Sequence, residues 1–116
     1  MNRIITLLTL FIIPASAQAQ SGQCAINRVL SSVSDSGSYT AIAYTSSCTE
    51  GLQISLLSTA QRTISARGNI AVVEDSTANI KFMWYGDSTL HIQKEKISKL
   101  VKRLRSFNGV KINYDH

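Results

Sequence analysis

Few residues in this chain are of types that carry reactions. Histidine occurs twice, at His91 and His116, and cysteine twice, at Cys24 and Cys48. His91 stands between Leu90 and Ile92 in an alternating run. It therefore faces away from them and reads as a surface strand residue before it reads as a general base. Asp75, Asp87 and Glu50 stand at turn signals, where a short carboxylate is explained by bonding to nearby backbone N–H groups. Serine is abundant, but no Gly-x-Ser-x-Gly is present. Ala66-Arg67-Gly68-Asn69 has one glycine and lacks the Lys-Ser/Thr of a phosphate loop. The cysteines have no Cys-x-x-Cys spacing, so a metal or redox pair has little support. No nucleophile, base and orienting partner come together by pattern; the expectation is a protein that is not an enzyme and holds no cofactor.

One stretch does ask for a partner. Lys94, Lys96, Lys99, Lys102, Arg103 and Arg105 crowd together against Glu95 alone. Ile97, Leu100, Val101 and Leu104 fall at i, i+3, i+4 and i+7, which predicts an amphipathic helix with its apolar stripe on the core. The charged face suits an anionic surface: an acidic envelope protein, lipid headgroups or lipopolysaccharide. It is equally the pattern of a solvated helix whose lysines only confer solubility. Nucleic acid is not expected, because Trp84 and Tyr85 are better explained as strand residues than as base-stacking platforms.

What must position these residues is mostly β-structure. Ile80, Phe82 and Trp84 alternate with Lys81 and Met83, Gly86-Asp87-Ser88 supplies a turn, and Thr89, Leu90 and Ile92 resume the alternation. That predicts a hairpin carrying the only tryptophan, Trp84, in the core. Upstream, Ala25 to Val33 fits a helical stripe or an irregular strand, with strand preferred because a hairpin partner follows directly. Ser34-Asp35-Ser36-Gly37 is a turn, and Tyr39 to Thr45 and Leu52 to Leu57 are strands. Ser58 to Gly68 reads as a surface loop anchored by Ile64, and Asn69 to Glu74 as a short strand. After the basic helix, Asn108-Gly109 ends it or turns the chain, and Val110 to Tyr114 returns as a last strand, leaving Asp115 and His116 exposed. The fold class expected is mainly β (α+β): an antiparallel meander of six or seven strands with one amphipathic helix near the C-terminus.

The chain has 116 residues, room for one domain, and its first segment is read as separate from it. Arg3 precedes the apolar run Ile4 to Ile13, Pro14 follows, and Ala15-Ser16-Ala17 or Ala17-Gln18-Ala19 offers a cleavage site. Residues 1–19 are expected to be a cleaved secretory signal and 20–116 a single small domain, since the run is about half the roughly 20 residues that span a bilayer. Loss of Arg3 takes the formal net charge from +5 to +4. An even cysteine count in an oxidising compartment predicts a Cys24–Cys48 disulfide.

The motifs Cys24, Ser34-Asp35-Ser36-Gly37, Tyr39-Thr40-Ala41 and Cys48 are followed by Gln53-Ile54-Ser55-Leu56-Leu57 and Gly68-Asn69. Trp84, Leu90-His91-Ile92 and Val110-Lys111-Ile112-Asn113-Tyr114 complete the series. In this order they resemble a group of small exported bacterial proteins. The resemblance spans nearly all of residues 20–116 and supports the β-rich fold and the Cys24–Cys48 pairing. It implies no activity. Where that group tends to have Cys-Gly-Ala-Thr-Thr, this chain has Cys48-Thr49-Glu50-Gly51. The expected function is a soluble, non-catalytic binding or interaction protein, periplasmic or secreted, working through the basic segment. The alternatives are a structural or stress-related protein with no dedicated ligand, or an inhibitor or immunity protein for an exported enzyme.

Overall fold

A computed structural model describes residues 24–61, 63–95 and 99–115. The signal read over 1–19, and Lys96, Ile97 and His116, lie outside them.

The chain starts as a hairpin. Strand β1 (Ile26–Val33) pairs antiparallel with β2 (Tyr39–Ser46). Between them Gly37 takes a φ of 84°, its N–H bonds to Ser34 O at 2.9 Å, and Ser34 Oγ accepts the Tyr39 N–H at 3.1 Å. The open end is closed by the Cys24–Cys48 disulfide, which joins Cα atoms 5.5 Å apart. Strand β3 (Leu52–Ser58) adds to β2, and β4 (Ala71–Val73) adds to β3.

The chain then crosses to a second sheet. Strands β5 (Ile80–Tyr85) and β6 (Thr89–Lys94) form the expected Trp84 hairpin, with Gly86 at a φ of 67° in its turn. It returns to the first sheet as β7 (Leu100–Arg103) on the outer side of β4, and crosses again to β8 (Ser106–Phe107) and β9 (Val110–Asp115). Asn108 and Gly109 both adopt positive φ, 52° and 83°, the two-residue turn whose twist suits a hairpin. Strand β9 runs parallel to β6. The sheets are ordered β1-β2-β3-β4-β7 and β5-β6-β9-β8.

Two expectations are overturned. Among the described residues there is no helix, so the fold is all β and the basic segment from Lys94 to Arg105 is not an amphipathic helix. Nor is it a simple meander of six or seven strands: among the described residues nine strands form two sheets, with one parallel pair. The reason lies in β4. Ala71 and Val73 are completely buried, and a strand there with an open edge would leave backbone groups without partners. The basic segment supplies them: Glu74 N–H bonds to Lys99 O at 2.7 Å and Leu104 N–H to Ile70 O at 2.8 Å. A register shift opposite Val72/Val73 leaves Val101 out of the pairing. This bulge is what made a strand look helical, because the extra residue breaks the period of two and leaves Leu100, Val101 and Leu104 at helical spacing.

The sheets pack through their inner faces. Ala41, Ala43, Leu52, Ile54, Leu56, Ala71 and Val73 of the first meet Ile80, Leu90, Ile92, Val110 and Ile112 of the second. Trp84 sits at the margin of this core, half-buried, with its ring near that of Tyr39 (6.5 Å between centroids). Its Nε1–H donates to Ser32 O at 3.1 Å and so ties β5 to β1. Trp84→Phe removes that tie, a net loss of about 0.5–1.5 kcal/mol for the bond plus some packing. A fall in Tm of several degrees is expected, and an unchanged Tm would show that the bond contributes nothing.

The outer face of the first sheet is covered as well. Ile26 and Ile64 pack on Ile42, Tyr44 and Leu57, so the loop expected over 58–68 is a lid on the sheet. Beneath it runs a polar network. Gln53 is fully buried; its Nε2 donates to Glu50 O at 2.8 Å and its Oε1 accepts Gly68 N–H at 2.9 Å. Asn69 bonds the Leu56 backbone twice through its side chain, at 2.8 and 3.0 Å, standing in for strand residues that the short β4 lacks. Ser55 Oγ accepts Asn69 N–H at 3.0 Å and shares a 2.9 Å bond with the Tyr44 hydroxyl, which donates to Ser65 O. These bonds satisfy the network, the condition under which buried polar groups rigidify a core.

Candidate functional site

Two surfaces gather chemistry. The first is the edge that β7 forms. Lys99, Val101, Arg103 and Arg105 are exposed along it, with Val101 58% accessible. Lys102 turns the other way, half-buried, and its Nζ donates to Gly68 O at 3.2 Å. The strand therefore divides the predicted basic set. Lys94 ends β6 in the other sheet, opposite Ile80, and is not part of this edge. Lys99, Lys102, Arg103 and Arg105 remain together, and among the described residues none has a carboxylate within ion-pair distance. Beside them opens a hollow lined by Val101, Val72, Glu74, Arg67, Glu50 and Thr49.

Tyr114 is inserted behind this edge. Its hydroxyl donates to Leu104 O at 2.6 Å, with Ile70 O at 3.3 Å, and it braces the corner where the chain leaves β7 for β8. Burial pushes the phenol up to about 12; the nearby Arg103 and Arg105 act in the opposite direction and are outweighed. Burial likewise raises the Tyr44 phenol. An unfolded tyrosine ionises near 10, so this stabilisation is fully present below pH 10 and is lost as the pH rises through about 12. Urea midpoints should fall across that window. Tyr114→Phe should start lower, having lost the bond to Leu104, yet decline less steeply, with the residual slope due to Tyr44. A variant as steep as the parent would show that Tyr114 is not the group responsible.

The second surface is the outer face of β5, β6 and β9. His91 was expected to be a surface strand residue, and it has partners on both ring nitrogens. Nδ1 lies 2.9 Å from Asp115 Oδ2 and Nε2 lies 3.1 Å from Asn113 Nδ2. An amide NH₂ can only donate, so Nε2 is the acceptor and the Nδ1–H points to Asp115. The Tyr85 ring leans on the imidazole at 4.6 Å, and the Tyr85 hydroxyl reaches Met83 Sδ at 3.1 Å. The tautomer is that of a relay histidine, but Nε2 faces an amide, with no hydroxyl or thiol bonded to it. The parallel pairing of β6 and β9 places His91 opposite Asn113 and Gln93 opposite Asp115. Nothing in the sequence marks that pairing, since strands so far apart in the chain carry no shared turn signal.

The predicted disulfide is present between Cys24 and Cys48. No group of three or more histidines, cysteines or carboxylates able to hold a metal is found among the described residues. No helix there is long and apolar enough to cross a membrane. Comparison with family models, with curated proteins and with solved structures returned no match.

Proposed function

We propose that this is an exported, non-catalytic interaction protein that binds an acidic exported protein through the basic edge of its five-stranded sheet. The observation that carries the reading is the exposure of Lys99, Arg103 and Arg105 on and beside one edge strand, none of them in an ion pair with a described carboxylate. Such a field raises encounter rates with a partner of opposite sign and is sensitive to salt over roughly 8–10 Å. Export rests on the leader-like residues 1–19 and agrees with the Cys24–Cys48 disulfide, as does the likeness to small exported bacterial proteins.

The test is a matched pair of triple variants. Lys99→Gln, Arg103→Gln and Arg105→Gln remove charge at the edge and spare Lys102, which is needed at Gly68 O. Arg28→Gln, Lys81→Gln and Lys111→Gln remove the same charge elsewhere. Binding to immobilised polyglutamate should weaken steeply with salt, drop in the first variant and persist in the second. Both should melt close to the parent, because exposed charges contribute little to stability. Equal losses in the two variants would reduce the effect to net charge and overturn the reading.

A further inference from the structure

We infer that the outer edge of β7 takes a short, extended acidic polypeptide segment as a sixth strand of the five-stranded sheet. This rests on the proposed function and specifies how the acidic partner is held. Strand β7 ends the sheet order, and among the described residues nothing pairs with its outer side. The Leu104 N–H points inward to Ile70 O, so in an extended chain the N–H and C=O of the preceding Arg103 point outward.

Two of the three other sheet margins are less open. Strand β1 at the opposite end is bulged between Arg28 and Leu30, and its Ser32 carbonyl is taken by Trp84. Strand β8 offers only two residues. An edge of this kind recruits any extended chain unless something selects. The charges select here. A second copy of the edge would bring Lys99, Arg103 and Arg105 against themselves, and the Val101 bulge spoils a long flat pairing. A segment with carboxylates opposite Arg103 and Arg105 gains where a second copy loses.

The hollow beside the edge refines the fit. It is lined by Val72 and Val101 but also by Glu50 and Glu74, with Arg67 the one cation. The residue entering it is therefore apolar, and the partner's acidic residues lie toward Arg103 and Arg105. Strand addition draws affinity from main-chain hydrogen bonds and specificity from such side pockets.

The experiment uses an alternating Glu/Val peptide and two forms of it, N-methylated on the odd or on the even residues. Methylation leaves the charge intact and removes the N–H donors of one side of the strand. One form should bind about tenfold more weakly than the parent peptide, as the loss of one or two hydrogen bonds implies, and the other should bind like it. The Arg103 amide should gain protection from hydrogen exchange on adding the parent peptide. If both methylated forms bind as the parent does, charge attraction remains but strand addition is overturned. If the edge triple-Gln variant binds the peptide as tightly as the parent protein does, the charge reading itself fails. Binding to phosphatidylglycerol vesicles without binding to the peptide would assign the edge to lipid and overturn the inference.

Discussion

Gly68→Ala is expected to be among the most damaging single-methyl changes in the described part of the protein. A β-carbon at Gly68 would lie 2.6 Å from both Ile54 N and Ile54 O, and closer still to Ala71 O. All three are backbone atoms in the β3–β4 ladder, so no side chain can swing aside to make room. Overpacking a core ordinarily costs about 1–3 kcal/mol. Here the strand pairing itself must shift, and the cost should reach or exceed the top of that range. The Gly68 N–H to Gln53 bond would go with it, and Gln53 is fully buried. For a domain of this size, about 3 kcal/mol corresponds to a fall in Tm of more than about 12 °C. Thermal melts of Gly68→Ala and Gly37→Ala make the comparison. An added methyl meets nothing at Gly37, whose cost is confined to its positive φ. If the two melt alike, close approach at Gly68 is not what demands glycine there.

The second large effect belongs to the disulfide. Strand β1 is mostly exposed, so burial does little to hold it. It stays in place through its ladder to β2, the Ser34–Gly37 turn at one end and the Cys24–Cys48 bond at the other, reinforced by Ser47 N–H to Ala25 O at 3.0 Å. Closing a loop with a sequence separation of 24 removes unfolded-state entropy worth roughly 3–4 kcal/mol in the chain-entropy model. Cys48→Ala should therefore cost about 2–5 kcal/mol, a large share of the roughly 5–10 kcal/mol available to such a domain. Hydrogen exchange should show the β1 amides opening first, ahead of β3 and β4. Intact mass of the oxidised parent should be about 2 Da below that of the reduced chain, the two thiol hydrogens lost. Uniform loss of protection across both sheets would mean that β1 is not the element the bridge secures.

Part of this was legible in the chain. Turns were readable because their chemistry is local: Ser34-Asp35-Ser36-Gly37 and Gly86-Asp87-Ser88 each contain the glycine that their positive φ requires. Strands β2, β3, β5, β6 and β9 were readable because alternation is a property of a few neighbouring residues. The cysteine pairing followed from a count of two. Asn108-Gly109 was read correctly as a place where the chain turns, though it joins two strands and ends no helix.

The errors have one source. Leu100, Val101 and Leu104 are compatible with a helix taken alone, and only the unfilled edge of the buried β4 makes a bulged strand the better use of them. The His91–Asn113–Asp115 cluster exists because β9 inserts parallel to β6, a choice made by the packing of Val110, Ile112 and Tyr114 on the core. The Gln53–Ser55–Asn69 network likewise depends on a loop folding back over a sheet. Local conformational preference is written in adjacent residues, and that is what the sequence determined by itself: the turns, most strands, the disulfide and the concentration of positive charge. Which sheet each strand joins, and which edge then carries that charge, depended on satisfying buried backbone groups across the whole domain. Those long-range demands were decided by the tertiary structure alone.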